Sequence, residues 1–454
     1  MRGSLPEKFD IVVAGAGVAG AMIAKRLAAS GYSVLLVDRK PERLLGKKVC
    51  GDAIGLHHFK NIGMEIHENF IRNRVRGVKI YSPNTRIVFS IQGDGVVLER
   101  ERFGRFLIKS AVNSGAEVRT STYATKPLVN GDSVIGVELF DLKRRHVYRV
   151  YARIVVDSTG AVATLRRRLP RKFWASEEVS IEDYNIAYRE IRVLDSEIEE
   201  IDFMSIYLSN TIAPGGYWWI IPRSKYEINI GLGVQMREKY PNPKINFYRY
   251  IVTKSIFNRS RILHSGSALV PTRRPIAAPV ANGFVAVGDA AMTANPIHGG
   301  GIGPAMMSAL LASRAIEHAL DEGDPSIENL WSYPLNYMRS YGAKQAALDI
   351  FRLFLQKLED DDLNYGMEKR LITEEDVYIA STDGELRIST IDKAMRVLRG
   401  LTRPSLLFKL KLVAEYMYAL KMHYYNYPSS PREFPRWYNK GENLLAKYLS
   451  KLYS

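Results

Sequence analysis

Residues 9–20, FDIVVAGAGVAG, decide the fold of this 454-residue chain. The apolar run 9–14 is rich in β-branched residues and predicts a short buried strand. Gly15, Gly17 and Gly20 follow in the spacing G-x-G-x-x-G, which between a strand and a helix is typical of a turn that binds a dinucleotide. Gly15 permits the tight turn, Gly17 lets the backbone approach a pyrophosphate, and Gly20 allows the helix to pack closely on the strand.

The residues after this turn complete a strand–helix–strand unit. Apolar positions at helical spacing predict a helix as far as Ser30, and Gly31 stands where a helix commonly ends on glycine. Residues 33–37 predict a second buried strand, which leads to Asp38 with Arg39 beside it. The helix N-terminus offers N–H groups to phosphates, and Asp38 is predicted to accept hydrogen bonds from ribose hydroxyls.

A second glycine-rich segment, residues 299–303, indicates which dinucleotide is bound. Residues 284–287 predict another buried strand that leads to Asp289, and the glycine run then opens a long helix. Asp289 suits the ribityl chain of a flavin. The N–H groups near Gly301 and Ile302 suit the flavin carbonyls, where negative charge builds on reduction. The sequence therefore predicts FAD, held by two distant segments of the chain.

The remaining segments predict further strands and helices. The periodicity predicts a helix at 103–114, strands at 117–120 and 153–157, and a hairpin formed by 134–140 and 147–151. Residues 181–270 are strand-rich, and residues after about 331 are mostly helical. The acidic run 359–362 is predicted to be a solvated loop.

These elements predict an α/β fold, α+β overall. It consists of a Rossmann-type FAD-binding domain, an interleaved antiparallel-sheet substrate domain and a helical C-terminal region. The predicted limits are 1–175 for the FAD-binding domain, with part of the substrate domain inserted at about 60–98; 176–270 for the β-rich substrate domain; 271–330 for the return to the FAD-binding domain; and 331–454 for the helical region.

The composition excludes several classes of protein. No run of about 18 apolar residues predicts a transmembrane helix, and residues 1–10 are too short and too polar for a signal peptide. The single cysteine, Cys50, excludes an intrachain disulfide, and no Cys/His cluster has zinc spacing, so no metal is predicted. We therefore predict a cytoplasmic protein, with peripheral contact at the inner membrane face as an alternative.

The net charge of +16 favours anionic partners. The densest basic cluster consists of Arg166, Arg167, Arg168, Arg171 and Lys172. No nucleic-acid-binding module accompanies it, so nucleic acid is not a predicted partner. A solvated surface and a membrane-facing surface stay as alternatives for this charge. The segment 406–425 offers a similar choice between a core-facing helix and a membrane-surface helix.

Motifs spread over nearly the whole chain carry a resemblance to one family. They are GAGVAG (15–20) with Asp38, KVCGDA (48–53), LER (98–100), DSTG (157–160), GD (288–289) with Pro296, GYWWIIP (216–222) followed by GLG (231–233), and the C-terminal stretches YGAKQ (341–345) and RPS (403–405). Together they resemble the archaeal branch of the geranylgeranyl reductase family, within the flavoproteins of p-hydroxybenzoate hydroxylase fold. The most specific match is GYWWIIP with GLG, which is similar to the family's substrate-site motif.

The resemblance implies an enzyme that saturates the double bonds of geranylgeranyl chains in ether lipid biosynthesis. It implies that the FAD is lined by Ala19, Asp38, Cys50, Gly51, Ala53, Arg100, Ala124, Asp289, Gly301 and Ile302. It also implies that Tyr217, Trp219 and Pro222 belong to the substrate site. The implied reaction is hydride transfer from reduced flavin N5 to one alkene carbon, with a proton delivered to the other carbon.

The aromatic assignment has independent physical support. An isoprenoid offers no hydrogen-bonding group along its length, so its site must be a long apolar channel. Tyr217 and Trp219 lie on one face of a predicted strand, with Trp218 on the other, and plain core packing is the alternative for either face. Cys50 and His58 are the candidate proton donors, against the alternatives of a small buried hydrophobe and a helix-capping or surface histidine.

Three rival functions stay open from the sequence. A flavin-dependent halogenase shares a similar W-x-x-P pattern and needs a reactive lysine, for which Lys79 is the candidate. An aromatic hydroxylase shares the fold. The non-enzymatic alternative is a protein that binds flavin at a membrane surface without catalysis. The electron donor is also open between NAD(P)H and ferredoxin, and the substrate between a free polyprenyl diphosphate and an assembled ether lipid.

Overall fold

A computed structural model describes residues 7–385 and 402–453. The prediction for the N-terminus depends partly on residues 1–6, which lie outside the described residues. The strands are β1 (Glu7–Ala14), β2 (Val34–Val37), β3 (Ala53–Gly55), β4 (Ile71–Tyr81), β5 (Val88–Leu98), β6 (Glu117–Arg119), β7 (Thr122–Asn130), β8 (Ser133–Asp141), β9 (His146–Asp157), β10 (Tyr184–Val193), β11 (Phe203–Tyr207), β12 (Tyr217–Pro222), β13 (Glu227–Gln235), β14 (Arg261–Pro271), β15 (Val280–Ala281) and β16 (Phe284–Ala286).

The described helices lie mostly in the C-terminal half. They are α1 (Val18–Ala29), α2 (His57–Asn61), α3 (Arg100–Asn113), α4 (Pro243–Asn246), α5 (Ile302–Asp321), α6 (Ile327–Leu330), α7 (Ser332–Tyr337), α8 (Ala343–Leu355), α9 (Asp360–Glu368), α10 (Glu374–Asp383), α11 (Pro404–Tyr425) and α12 (Phe434–Tyr453). In the described part of the chain, no helix is both long enough and apolar enough to cross a bilayer.

The first sheet has the order β15-β16-β9-β1-β2-β6, with the β7–β8 hairpin attached through β9. Strands β16, β9, β1, β2 and β6 are parallel to one another, whereas β15 and β8 pair antiparallel with β16 and β9. Helices α1, α3 and α5 pack together against one face of this sheet, where their apolar side chains form its larger core. The predicted Rossmann-type α/β unit is confirmed.

The second sheet has the order β14-β10-β13-β12-β11-β4-β5-β3 and is antiparallel except between β11 and β4. Its strands come from both sides of the β6–β9 segment, so the chain crosses between the sheets more than once. The segment that contains α4 and the following turns covers its outer face. We propose that this sheet and its cover form the substrate domain.

Two local predictions differ from the structure. The strands predicted at 147–151 and 153–157 are one strand, β9, which leaves the hairpin and continues into the parallel sheet. The acidic run 359–362 is not a loop, since Glu359 precedes α9 and the next three acids form its first turn. Acidic side chains stabilise a helix N-terminus, and Asp360 also accepts a hydrogen bond from the backbone N–H of Asn210 at 2.5 Å.

The basic cluster near residue 170 is only partly a surface feature. Arg166 is fully buried and donates through Nε to the carbonyl oxygen of Ala290 at 2.8 Å. Arg171 is exposed and pairs with Glu178 at 2.7 Å. The prediction of a solvated or membrane-facing surface is therefore wrong for Arg166. Its side chain instead connects two loops of the first sheet.

Candidate active site

The carboxyl ends of four parallel strands meet at one edge of the first sheet. Ala14 of β1 is in register with Val37 of β2 and Asp157 of β9, and Ala286 of β16 is in register with Asp157. The glycine turn, Asp38, the DSTG segment and the segment leading to Asp289 therefore emerge side by side. This edge is where doubly wound sheets bind their ligands.

The first glycine turn is built for close backbone contact. Gly15 has φ +105°, and a Cβ at this residue would lie 2.4 Å from the carbonyl oxygen of Ser158. A Cβ at Gly20 would lie 2.0 Å from the carbonyl oxygen of Gly15. A Cβ at Gly17 would meet no atom of the described residues within 4 Å, so Gly17 borders open space at the N-terminus of α1.

Asp38 has a second role that the sequence did not reveal. One carboxylate oxygen accepts the backbone N–H of Ala16 at 2.9 Å, and the other accepts that of Lys40 at 2.8 Å. A carboxylate has about four acceptor positions, so lone pairs are left for a ribose. Asp38 therefore shapes the glycine turn and keeps free acceptor positions, while the neighbouring Arg39 is exposed.

The second glycine-rich segment lies against the first. Gly288 has φ +59°, and a Cβ there would lie 3.4 Å from the Cβ of Ala19 in α1. A Cβ at Gly301 would lie 3.0 Å from Oδ1 of Asp289, whose other oxygen pairs with Lys48 at 3.2 Å. The tertiary structure thus joins the two segments from which the sequence predicted FAD.

The other predicted FAD residues occupy positions around this edge. Arg100 begins α3, is buried, and its Nε has no hydrogen-bond partner among the residues that the structure describes. Ala53 begins β3, and Ala124 is buried in β7, whose first residue, Thr122, donates its backbone N–H to the Asp38 carbonyl at 2.9 Å. The unpaired Arg100 Nε and the open space at Gly17 both fit a bound phosphorylated cofactor.

An aromatic wall, consisting of Tyr217 and Trp219 of β12, lies on the inner face of the second sheet. Their ring centroids are 5.9 Å apart, and they stand opposite Gly233 and Gly231 of β13. A Cβ at Gly231 would lie 2.6 Å from Cζ2 of Trp219, so only glycine leaves room for the indole ring. Gly231 of the motif is therefore required by the Trp219 side chain opposite it.

The two ends of the aromatic wall are fixed by hydrogen bonds. The Tyr217 hydroxyl donates to the carbonyl oxygen of His298 at 2.6 Å, next to the glycine run, and burial raises the pKa of this hydroxyl. Trp219 Nε1 donates to Oδ1 of Asn229 at 3.1 Å. Trp218 lies on the outer face and stacks on Tyr207 at 3.7 Å. The core-packing alternative therefore holds for Trp218.

The cysteine loop, residues 48–53, lies against this inner face. The carbonyl oxygen of Cys50 accepts a hydrogen bond from Asn229 at 2.8 Å, and a Cβ at Gly51 would lie 3.3 Å from Cδ1 of Ile221. Cys50 is partly exposed. Burial raises the pKa of its thiol, and the nearby Asp52 raises it further. Cys50 is therefore a protonated thiol at neutral pH.

His58 of α2 lies against the start of α5. Its Nδ1 is 3.3 Å from the hydroxyl of Tyr341, and a Cβ at Gly303 would lie 2.2 Å from the same nitrogen. Burial lowers the pKa of His58 to about 3, and the positive charges of His57 and Lys344 lower it as well. His58 is therefore a neutral imidazole at neutral pH. Tyr341 belongs to a segment that the sequence indicated only through family resemblance.

The neutral state of His58 predicts a specific acid sensitivity. Its folded pKa of about 3 lies below the unfolded value of 6.5, so below pH 6.5 the unfolded chain binds a proton that the folded chain does not. The free energy of unfolding therefore falls as the pH drops from 6.5 toward 3. We expect His58→Gln to reduce this loss between pH 7 and pH 4.5 by on the order of 1 kcal/mol, measured by urea unfolding.

The control for this experiment is His146→Gln on the exposed end of β9. This variant should lose stability in acid as the wild type does. An equal acid dependence in His58→Gln and the wild type would contradict the buried, neutral imidazole.

Two residues that the sequence singled out lie away from the aromatic wall. By the alternation of β12, Pro222 is on the face opposite Trp219, and its carbonyl accepts a hydrogen bond from Asn73 at 3.0 Å. The Nζ of Lys79 lies 2.6 Å from an oxygen of Glu200. An ion-paired lysine is poorly suited to carrying an activated halogen.

Two family models match different parts of the chain. A family model described as the geranylgeranyl reductase catalytic domain matches residues 183–270, and one described as lycopene cyclase protein matches residues 10–180. The digeranylgeranylglycerophospholipid reductase of Sulfolobus acidocaldarius is 41% identical over 447 residues, which cover 98% of this chain and 99% of that protein.

Solved structures share the fold at lower identity. A geranylgeranyl bacteriochlorophyll reductase-like protein from Thermoplasma acidophilum matches with a TM-score of 0.75 and 23% identity, over 90% of this chain and 100% of that chain. The myxobacterial chondrochloren halogenase matches with a TM-score of 0.64 and 19% identity, over 89% of this chain and 97% of that chain. The similarity to the halogenase therefore concerns the fold alone.

The fold and the two joined glycine-rich segments define an FAD-dependent oxidoreductase. The chain belongs to the digeranylgeranylglycerophospholipid reductase family. It is a reductase that acts on carbon–carbon double bonds.

Proposed function

We propose that this enzyme saturates the isoprenoid double bonds of geranylgeranyl chains, either in digeranylgeranylglycerophospholipid or in geranylgeranyl diphosphate, during synthesis of membrane ether lipids. The observation that carries this proposal is the wall of Tyr217 and Trp219, which lies across two glycines and beside the cysteine loop. An apolar wall next to a redox cofactor suits a chain that has no polar group to bind. The 41% identity to a digeranylgeranylglycerophospholipid reductase gives further support.

We propose that the FAD is held by the residues that the sequence implied. The pyrophosphate would lie on the open side of Gly17 at the start of α1, the ribose at Asp38, and the ribityl chain at Asp289. Arg100 would offer its unpaired Nε to the cofactor. When bound and reduced, FAD supplies the hydride that an alkene carbon receives.

The protein's part in the reaction is to orient the chain and supply a proton. Tyr217 and Trp219 hold the isoprenoid flat against the inner face of the second sheet. Cys50 is the proposed proton donor, because its thiol stays protonated beside this wall. His58 is the second candidate. As a neutral imidazole bonded to Tyr341, it is suited to relaying a proton rather than to acting as a cationic acid.

We also propose a peripheral contact with an anionic membrane, but through a different surface from helix α11. Leu406, Leu410 and Val413 of α11 are buried, so that helix faces the core. The outer cover of the second sheet instead exposes apolar side chains among basic ones. Its apolar members are Ile245 (56% exposed), Tyr248 and Ile256 (51% exposed), and its basic members, which are also exposed, are Lys244, Arg249 and Lys254.

Sedimentation with lipid vesicles tests this surface. We expect Ile245→Glu with Ile256→Glu to lower binding to anionic vesicles several-fold, because apolar insertion and attraction to phosphates are both weakened. Phe408→Glu on the exposed side of α11 is the matched control and should bind as the wild type does. Loss of binding only in the α11 variant would contradict the proposed surface.

Mass spectrometry tests the reaction itself. Geranylgeranyl diphosphate and digeranylgeranylglyceryl phosphate are each incubated with enzyme and dithionite, NADPH, NADH or reduced ferredoxin. We expect products that gain two hydrogens for each double bond, and the arm with the fastest turnover identifies the electron donor. An unchanged mass for both substrates in every arm would overturn the reductase proposal. A chloride-dependent product would support a halogenase instead, and oxygen consumption coupled to turnover would support a hydroxylase.

A further inference from the structure

One buried carboxamide connects the aromatic wall to the cysteine loop. Asn229 of β13 is 0% exposed and lies behind Trp219. Its Nδ2 donates to the carbonyl oxygen of Cys50 at 2.8 Å and to Oδ2 of Asp52 at 3.1 Å, while its Oδ1 accepts from Trp219 Nε1 at 3.1 Å. Both amide hydrogens and the amide oxygen are thus used, and each contact reaches a different side chain or backbone group.

The far side of this connection is anchored by charge. Arg223 is buried and donates through Nη1 to Oδ2 of Asp52 at 3.1 Å. The same guanidinium binds Glu99 at 2.9 Å and Glu227 at 2.5 Å. A buried guanidinium that binds three carboxylates has little freedom to move. Asp52, and with it the end of the cysteine loop, is therefore fixed to the second sheet.

The backbone of the loop depends on these contacts. Asp52 has φ +67°, in the left-handed region that a residue with a Cβ occupies at some energetic cost. Its carbonyl oxygen accepts the backbone N–H of Leu98 at 2.8 Å. The turn that presents Cys50 is therefore kept in place by the bonds of Asp52 and Asn229 rather than by the local preference of the chain.

The side chain at residue 229 has to be a neutral amide rather than a carboxylate. Oδ1 of Asp52 is buried without a hydrogen-bond partner among the described residues. Burial raises the pKa of Asp52 to about 6, although the positive charges of Arg189 and Arg223 oppose this. A second carboxylate at residue 229 would face Asp52 directly and could not donate to the Cys50 carbonyl.

We propose that Asn229 is a positioning residue for double-bond reduction, which sets the distance between the substrate wall at Trp219 and the thiol of Cys50. This role builds on the proposed function, since it assumes that Trp219 holds the isoprenoid and that Cys50 supplies the proton. A displacement of about 1 Å between reacting groups can lower a rate about a hundredfold. Sequence reasoning missed Asn229 because nothing in the local pattern distinguishes it from a strand residue that packs in the core.

The test uses the FAD-loaded enzyme and its single cysteine, so that thiol alkylation reports Cys50 alone. We expect Asn229→Asp to lower kcat by about a hundredfold, with a smaller change in KM. We expect Asn229→Ser, which adds no negative charge that would raise the thiol pKa, to raise the alkylation rate by about tenfold or more. Combining Asn229→Asp with Asp52→Asn restores an amide–carboxylate pair in reversed order and should recover part of the lost kcat. The matched control is Asn246→Asp, a buried amide under the outer cover that donates to the Ile212 carbonyl at 2.8 Å, and it should leave alkylation unchanged.

Asn229→Ser also serves for kcat where the charged variant fails to fold, since it removes the same bonds without adding charge. Unchanged alkylation and unchanged kcat in folded Asn229→Ser or Asn229→Asp would overturn the proposal. A loss that appears only in thermal stability, with no rescue by the double variant, would also overturn it. The alkylation comparison needs no substrate, so it is independent of whether the wild type reduces either polyprenyl compound.

Discussion

Replacing Gly17 with valine should leave the apoprotein folded and weaken FAD binding by about a hundredfold or more, a loss of at least about 2.7 kcal/mol. The Gly17 backbone is extended, with φ −74° and ψ −170°, and a Cβ there meets no described atom within 4 Å. The protein itself therefore has room for the side chain. The space that valine would fill is the space proposed for the pyrophosphate at the N-terminus of α1.

Fluorescence titration of apoprotein with FAD, together with thermal unfolding of the apoprotein, measures the two quantities separately. Gly93→Val in β5 is the matched control, because a Cβ there also meets nothing within 4 Å and the residue is far from the glycine turn in the chain. Gly20→Val provides the contrast. Its Cβ would lie 2.0 Å from a backbone oxygen, so this variant should fail to fold. Wild-type FAD affinity in Gly17→Val would contradict the assigned pyrophosphate site.

Replacing Cys50 with alanine should lower double-bond reduction by about a hundredfold or more, with FAD still bound. The thiol is held beside the aromatic wall, and burial together with Asp52 keeps it protonated at neutral pH. Alanine removes the proton but keeps the backbone contacts of the loop, including the hydrogen bond from Asn229 to the Cys50 carbonyl. The loss should therefore fall on the chemical step.

Single-turnover oxidation of the pre-reduced enzyme by a geranylgeranyl substrate measures this step, and bound FAD is quantified from the absorbance of the flavin. Cys50→Ser retains a hydroxyl proton and should lie between alanine and the wild type. His58→Gln is run beside them to compare the second candidate. Full turnover in Cys50→Ala would remove the thiol from the mechanism and leave the His58–Tyr341 pair as the proton source.

Predictions that depended on neighbouring residues succeeded most often. Helix α1, its terminal Gly31 with φ +90°, and strands β1 and β2 lie where periodicity and glycine spacing predicted them. Both signals act within a few residues and need no knowledge of the rest of the chain. The acidic run 359–362 was predicted wrongly because the same residues favour a solvated loop and the first turn of a helix.

Predictions that depended on distant partners were incomplete. The cluster of five basic residues near residue 170 was predicted to lie on the surface. Arg166 is nevertheless buried, and its Nε–H is accepted by the carbonyl oxygen of Ala290, 124 residues later in the chain. Lys79 was a candidate reactive lysine, but in the folded structure its ammonium group pairs with the carboxylate of Glu200. The sequence contains no local sign of either contact.

The sequence by itself determined the dinucleotide turn, the second glycine-rich segment and the aromatic motif, because each depends on residue type and short spacing. Only the tertiary structure decided that Gly288 lies against Ala19, that Gly231 makes room for Trp219, and that Asn229 joins Trp219 to Cys50. These contacts link residues that are far apart in the chain. Burial in the folded core also sets the protonation of Cys50 and His58, and such burial exists only once the distant segments have packed together.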